Sequence, residues 1–262
     1  MKRMRAWAAA GLAAAAVLSG CGSDTSPGGA PSGSAAPAQH LVVFAAASLK
    51  QTFTKIGDQF KTDNPGATVE FSFAGSSDLV TQLTQGAKAD VFASADVKNM
   101  DKAAAAGLLA GDPVTFATNV LTIAVAPGNP KGIKTFGDLA KPGLNVVVCA
   151  PQVPCGSATK KVEDTTKVTL APVSEETSVT DVLGKVSTGQ ADAGLVYVTD
   201  VAGSGGKVDG VGFPESSGAV NTYPIATLKS AANTDLAHKF IDLVTGAAGQ
   251  KVLEQAGFGK PR

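Results

Sequence analysis

Leu41-Val42-Val43-Phe44-Ala45-Ala46-Ala47-Ser48-Leu49-Lys50-Gln51 is the stretch on which the fold turns. Leu41 to Ala45 is a short continuous apolar run, the pattern of a strand covered on both faces. From Ser48 to Lys61 the apolar residues Leu49, Phe53, Ile56 and Phe60 recur at helical spacing, and Asn64-Pro65-Gly66 ends the run. Ser48 has the chemistry of an N-cap, and Gln51 three residues on completes a capping-box pattern. A buried strand that turns directly into an amphipathic helix is the building unit of α/β folds.

The unit repeats outward from there. Thr68 to Phe73 reads as a strand, Ser76 to Gln85 as a helix with Leu79, Val80 and Leu83 on one side, Asp90 to Ala93 as a strand and Val97 to Ala106 as a helix. Six alternating elements predict a mostly parallel sheet with helices on both faces. The rhythm then restarts. Val114 to Ala126 is strand-like with an interruption at Asn119, and Pro127-Gly128-Asn129-Pro130 is a turn. Strands are expected over Asn145–Cys149, Val168–Leu170, Ala193–Tyr197 and Tyr223–Leu228. Helices are expected over Ser157–Asp164, Val179–Ser187, Asp235–Val244 and Ala247–Gln255. Two α/β units predict two lobes flanking a cleft, one from residues 41–118 plus 224–262 and the other from 119–223. The chain would cross between them near Asn119 and Asn221–Pro224, the expected hinge. No internal sequence repeat relates the halves.

Composition narrows the function. The 262 residues carry 22 Lys+Arg against 22 Asp+Glu, a balance that argues against a nucleic-acid partner. Three cysteines and two histidines exclude a disulfide scaffold and histidine-rich metal sites.

The first 20 residues read as an export signal: Lys2, Arg3 and Arg5, then an apolar run from Ala6 to Leu18 too short to span a bilayer. Leu18-Ser19-Gly20-Cys21 resembles the lipobox of bacterial lipoproteins, which implies lipidation of Cys21 and a membrane anchor on the extracytoplasmic face. Removing residues 1–20 takes three basic side chains and no acid, leaving 19 basic against 22 acidic. Residues 21–40, rich in Ser, Gly, Pro and Ala, cannot bury enough surface to offset their ordering entropy and read as a flexible tether. In an oxidising compartment the remaining pair, Cys149 and Cys155, is expected as a disulfide. Their separation departs from the Cys-x-x-Cys spacing of thiol oxidoreductases.

Four helix starts carry the candidate chemistry: Ala47-Ser48-Leu49, Ala74-Gly75-Ser76-Ser77, Val153-Pro154-Cys155-Gly156 and Glu176-Thr177-Ser178-Val179. Turns at the carboxyl ends of parallel strands are where open α/β folds bind ligands. A helix start presents unpaired N–H groups and a partial positive charge, so several aimed at one cleft form an anion site without cationic side chains. For each serine taken singly, a simple capping role is the competing reading. Asp96 and Asp200 read as caps or turn residues, because a carboxylate would repel an anion, and Asp78 should point away for the same reason.

Val43-Phe44-Ala45-Ala46-Ala47-Ser48-Leu49 resembles the opening strand and turn of the periplasmic molybdate-binding (ModA) family. Phe73-Ala74-Gly75-Ser76-Ser77, the run Gly86-Ala87-Lys88-Ala89-Asp90-Val91-Phe92-Ala93-Ser94-Ala95-Asp96 and Gly194-Leu195-Val196-Tyr197-Val198-Thr199-Asp200 match further family segments in order. Tyr223-Pro224-Ile225-Ala226 and Ala256-Gly257-Phe258 also fit, so the resemblance covers residues 41–260. It implies a type II periplasmic-binding-protein fold that closes on an oxyanion. Ser48 and Ser76 would each give a hydroxyl and an N–H, Cys155 and Val179 would give N–H groups, and Tyr197 would give its phenol. The ligand would be molybdate or tungstate, a metal held as its oxyanion rather than as a bare cation, with no separate cofactor. The partner would be an ABC-transporter permease, and the protein a monomer that performs no catalysis.

Other readings compete. Sulfate would suit the same donors. Ser157-Ala158-Thr159-Lys160 matches the S-x-x-K motif of serine acyl-enzymes, with Ser157 as nucleophile and Lys160 as its partner, but no Ser-Asp-Asn or Lys-Thr-Gly completes it. Iron binding would call for clustered tyrosines, and Tyr197 and Tyr223 are far apart in sequence.

Overall fold

A computed structural model describes residues 39–261; the expected export signal, the tether up to Ala38 and Cys21 lie outside the described residues. In the first half, β1 (Gln39–Ala46) leads through a 3-10 turn (Ala47–Leu49) into α1 (Lys50–Asp63). There follow β2 (Ala67–Ala74), α2 (Ser76–Thr84), β3 (Val91–Ala93) and α3 (Val97–Ala105). After β4 (Val114–Asn119) and β5 (Leu121–Val125) come β6 (Val146–Cys149), α4 (Pro154–Thr166), β7 (Ser174–Glu176), α5 (Val179–Ser187), β8 (Ala193–Tyr197), α6 (Val198–Ala202) and β9 (Asp209–Val211). β10 (Asn221–Thr227), α7 (Thr234–Thr245) and α8 (Ala247–Gln255) complete the order.

The strands form two five-stranded sheets, β2-β1-β3-β10-β4 and β7-β6-β8-β5-β9. Each is mixed. β1 pairs parallel with β2 and β3, and β6 with β7 and β8, while β10 and β5 run antiparallel to their neighbours. β10 and β5 are the strands by which the chain enters each sheet from the other, so the two sheets share one plan. The crossings fall at Val120, between β4 and β5, and at residues 219–220, before β10.

In the first lobe the period of two along β1 decides the layers. Leu41, Val43 and Ala45 face a core with Phe53, Phe60, Phe116, Tyr223 and Phe240. Phe44 faces the opposite core with Leu79, Phe92 and Met100. The second lobe has one core, in which Ile123, Val147, Leu195 and Val196 meet Val162 and Val182.

Three expectations need correction. β1 begins at Gln39, before Leu41, because Gln39 and His40 pair with Ala67 and Thr68. The strand expected over Val168–Leu170 is irregular, and the sheet edge is instead Ser174–Glu176. The Leu170 N–H donates to Glu163 Oε1 (2.7 Å) rather than to a neighbouring strand. Helix α4 starts at Pro154, three residues before Ser157; proline suits a first helical position, where its missing N–H costs nothing.

Candidate functional site

The four helix starts lie at the carboxyl ends of β1, β2 and β6 and just after β7, and they meet. Ser48, Gly75, Ser76, Cys155, Val179 and Tyr197 line one narrow cleft of about 10 Å³, completed by Ala46, Ala47, Ala95, Val153 and Pro154. All five residues expected at the site are thus brought together, from both lobes. No charged side chain lines the cleft, and Asp78 is not among its walls.

Each wall is built differently. Ser48 does not cap α1. It sits inside the 3-10 turn, and neither that turn nor α1 has a side-chain cap. The expected capping box fails because both partners are engaged elsewhere: Ser48 Oγ lies 3.1 Å from the Tyr223 hydroxyl, and Gln51 Nε2 donates to Gly203 O at 2.6 Å. Ser76 is the first residue of α2, fully buried, and its Oγ accepts from the Ala95 N–H at 3.0 Å. Helical bonding begins with Asp78 N–H to Gly75 O, so the N–H groups of Ser76 and Ser77 precede it.

On the second lobe, the first bond of α4 runs from Ser157 N–H to Val153 O, ahead of which lies the N–H of Cys155. Cys155 is bonded to Cys149 (Cα–Cα 5.6 Å), the expected disulfide, which staples the turn to the end of β6. Gly156 is required there, since a Cβ would fall 2.0 Å from Ala150 O. Ser178 caps α5 by accepting from Asp181 N–H (3.2 Å), leaving the Val179 N–H at the helix start.

Tyr197 is buried and its hydroxyl has no hydrogen-bond partner. Burial drives the Tyr197 phenol well above its ordinary pKa, with Tyr223, Asp96 and Asp200 adding to the shift, so it remains a donor. Asp200 and Asp96 serve as caps: Asp200 Oδ2 accepts from Tyr197 N–H (2.9 Å) and Asp96 Oδ1 from Asn99 N–H (2.8 Å). Burial raises both carboxyls, Asp200 up to about 7, although the Tyr197 N–H holds it lower than burial alone would.

The lobes touch directly across the cleft. A Cβ on Gly75 would lie 2.1 Å from Thr177 O, so only glycine admits this approach. Side-chain amides of the first lobe donate into the second: Gln51 to Gly203 O, Asn99 to Gln152 O (3.3 Å), Asn119 to Thr199 Oγ1 (2.8 Å) and Asn221 to Pro154 O (3.4 Å). Among the described residues no ion pair crosses between the lobes.

Sequence reasoning named Tyr223 in a family segment, Asn119 and Asn221 at the hinge and Gln51 as a cap, but it missed their contacts at the cleft and Asn99 altogether. Their partners come from far along the chain, and the signal that was available is the scarcity of tyrosine, two in 262 residues. The fold packs these two edge to face, with ring centroids 6.1 Å apart. Even so, no group of three or more His, Cys, Asp or Glu among the described residues could hold a bare metal ion. The acyl-enzyme reading fails on geometry. Lys160 pairs with Asp164 (2.9 Å) and Glu163 (3.7 Å), which raise its pKa, whereas a base for Ser157 would need a free, neutral amine.

The profile described as bacterial extracellular solute-binding protein matches residues 41–259. The molybdate-binding protein ModA of Mycobacterium tuberculosis is 59% identical over 254 residues, which cover 96% of this chain and 97% of that one. ModA of Escherichia coli is 31% identical over 231 residues, covering 83% and 88%. In three dimensions, the periplasmic molybdate-binding protein of Azotobacter vinelandii superposes with a TM-score of 0.73 at 24% identity, over 85% of this chain and 100% of that one. These are solute-binding proteins rather than enzymes, and the fold is of their kind. The chain belongs to the bacterial extracellular solute-binding protein family, among the ModA proteins.

Proposed function

We propose that this protein captures molybdate, and with it tungstate, between its lobes and delivers it to an ABC permease. The observation that carries the reading is the convergence of Ser48, Ser76, Cys155, Val179 and Tyr197 on one cleft without a charged wall. In this reading the serines donate hydroxyl and backbone protons, Cys155 and Val179 donate N–H groups, and Tyr197 donates its phenol. Each donor to a charged acceptor contributes about 1.5–3 kcal/mol net, ample against association costs of about 4–15 kcal/mol. The oxyanion is cargo, and no resident cofactor takes part.

Capture is a population shift. The two lobes swing about the crossings near Val120 and residues 219–220; Asn119 and Asn221–Tyr223, expected in the second lobe, pair within the first lobe's sheet. An anion that touches both lobes stabilises the closed form by its differential contacts. The protein works outside the cytoplasm, as its family does, and no helix among the described residues is long and apolar enough to cross a membrane. In our reading the chain is a monomer exported by residues 1–20 and anchored by lipid on Cys21; Cys21→Ala should release it from the membrane fraction.

Calorimetric titration of the purified protein with molybdate, tungstate, sulfate and phosphate tests the function. Tight binding of molybdate and tungstate, with sulfate far weaker, is expected. Tighter sulfate binding, or none of any anion, would overturn it. Ser48→Ala and Ser76→Ala should each weaken molybdate binding by at least about 1 kcal/mol.

A further inference from the structure

We propose that Tyr223 is a positioning residue that sets anion specificity: its phenol donates to Ser48 Oγ and thereby turns the serine proton toward the cleft. The inference rests on the oxyanion reading above and concerns a residue outside the cleft wall. Tyr223 is fully buried in β10, with its ring against Phe116, Tyr197 and Phe258 at centroid distances of 6.2, 6.1 and 5.4 Å. A buried phenol proton needs an acceptor. The partner of the Tyr223 hydroxyl is Ser48 Oγ at 3.1 Å. The neighbouring Asn119 amide already has partners of its own, its Oδ1 accepting from Val120 N–H and its Nδ2 donating to Thr199 Oγ1. Among the described residues Ser48 Oγ is the oxygen at hydrogen-bond distance from the Tyr223 hydroxyl, and in our proposal it receives the proton. Burial also raises the Tyr223 phenol far above its ordinary value, which keeps that proton in place at any working pH.

A serine oxygen that accepts from tyrosine still has its own proton to give. The same polarity is imposed on Ser76, whose Oγ accepts from Ala95 N–H. Tyr197 has a proton and no acceptor in the protein. All three hydroxyls at the cleft have a proton to give, two of them biased toward donation because a group behind the wall bonds the oxygen. An oxyanion without protons satisfies them all. A protonated one, such as monohydrogen phosphate, also needs an acceptor, and each serine oxygen already accepts one hydrogen bond, which makes it a poorer acceptor. Of the two groups behind the wall, Tyr223 is a side chain and can be removed; the Ala95 amide cannot.

The experiment is a double-mutant cycle on the full chain, reading molybdate affinity and the ratio of molybdate to monohydrogen phosphate affinity at pH 8. Tyr223→Phe should weaken molybdate about 3- to 10-fold and lower the anion ratio at least about 10-fold, because Ser48 Oγ is then free to accept. In a Ser48→Ala background the same substitution should add less than about twofold. Additive losses, or an unchanged ratio, would overturn the proposal and leave Tyr223 a packing residue. Should Tyr223→Phe fail to fold, Ser48 variants ask the same question. Ser48→Thr keeps an oxygen for the phenol, whereas Ser48→Cys offers a poor acceptor, so the ratio should be at least fivefold higher in the former; equal ratios would overturn the proposal. Absence of molybdate binding in the unsubstituted protein would instead overturn the functional reading, and this inference with it.

Discussion

The two lobes share a sheet plan but hold their halves of the cleft by different means. In the first lobe the site turns are fixed by hydroxyl bonds, Ser48 to Tyr223 and Ser76 to Ala95. In the second the turn at Cys155 is fixed covalently, by its bond to Cys149, and Tyr197 waits without a partner. The lesson is that one lobe fixes its helix starts through side-chain hydroxyls, while the other fixes one through a covalent staple.

Two glycines test this contrast most sharply. Gly75 has ordinary backbone angles (φ −58°, ψ 140°), so alanine fits the first lobe itself; its Cβ would meet Thr177 O only when the lobes close. Gly75→Ala should leave the melting temperature of the anion-free protein nearly unchanged while weakening molybdate at least about 100-fold, or about 2.7 kcal/mol. Gly156→Ala clashes within its own lobe, against Ala150 O and Cys149 O, and should lower the melting temperature itself. Equal effects of the two substitutions on stability would break the distinction.

The next largest effect is on pH. Asp200 sits near pKa 7 in the folded protein against about 3.9 unfolded. A carboxyl raised on folding contributes stability that is complete below the unfolded value and lost as pH rises through the folded one. Between pH 5 and 7 the protein should lose about 2–3 kcal/mol from this group, at about 1.4 kcal/mol per pH unit. Denaturant midpoints should show the decline, and Asp200→Asn, which can still accept from Tyr197 N–H, should flatten it.

Reducing the Cys149–Cys155 bond should cost about 2 kcal/mol in the chain-entropy account. It should fall on the second lobe, with hydrogen exchange rising at the start of α4 and not at the start of α2. Smallest is Gln51→Ala, which removes one hydrogen bond between the lobes. It should weaken anion binding by about 0.5–1.5 kcal/mol through faster release, with the open form unchanged.

The sequence was legible where burial writes apolar runs. Ala193–Tyr197, Val179–Ser187 and Ala247–Gln255 were read at their observed bounds because core strands and amphipathic helices carry strong patterns. Ser174–Glu176 and Asp209–Val211 escaped because they lie at sheet edges, half in solvent, where polar residues leave no period to find. The site divided along the same line. Its helix starts announce themselves locally, through serine, glycine and proline, and the family motifs join them into a set. What sits behind them does not: the Tyr223 phenol reaches Ser48 across 175 positions, and nothing near Ser48 marks the destination of its oxygen. Gln51 misled for a related reason. Its place three residues after Ser48 satisfied a local rule, and a partner from the other lobe won the side chain.

The edge-to-face pair of Tyr197 and Tyr223 gives the molecule an optical consequence. One ring belongs to β8 and the other to β10, so each rides on a different lobe, and the chain has no further tyrosine. At this separation excitation hops between the rings and depolarises the emission, and parting the lobes slows the hopping. Steady-state anisotropy of tyrosine light would follow opening and closing in real time, with no dye attached.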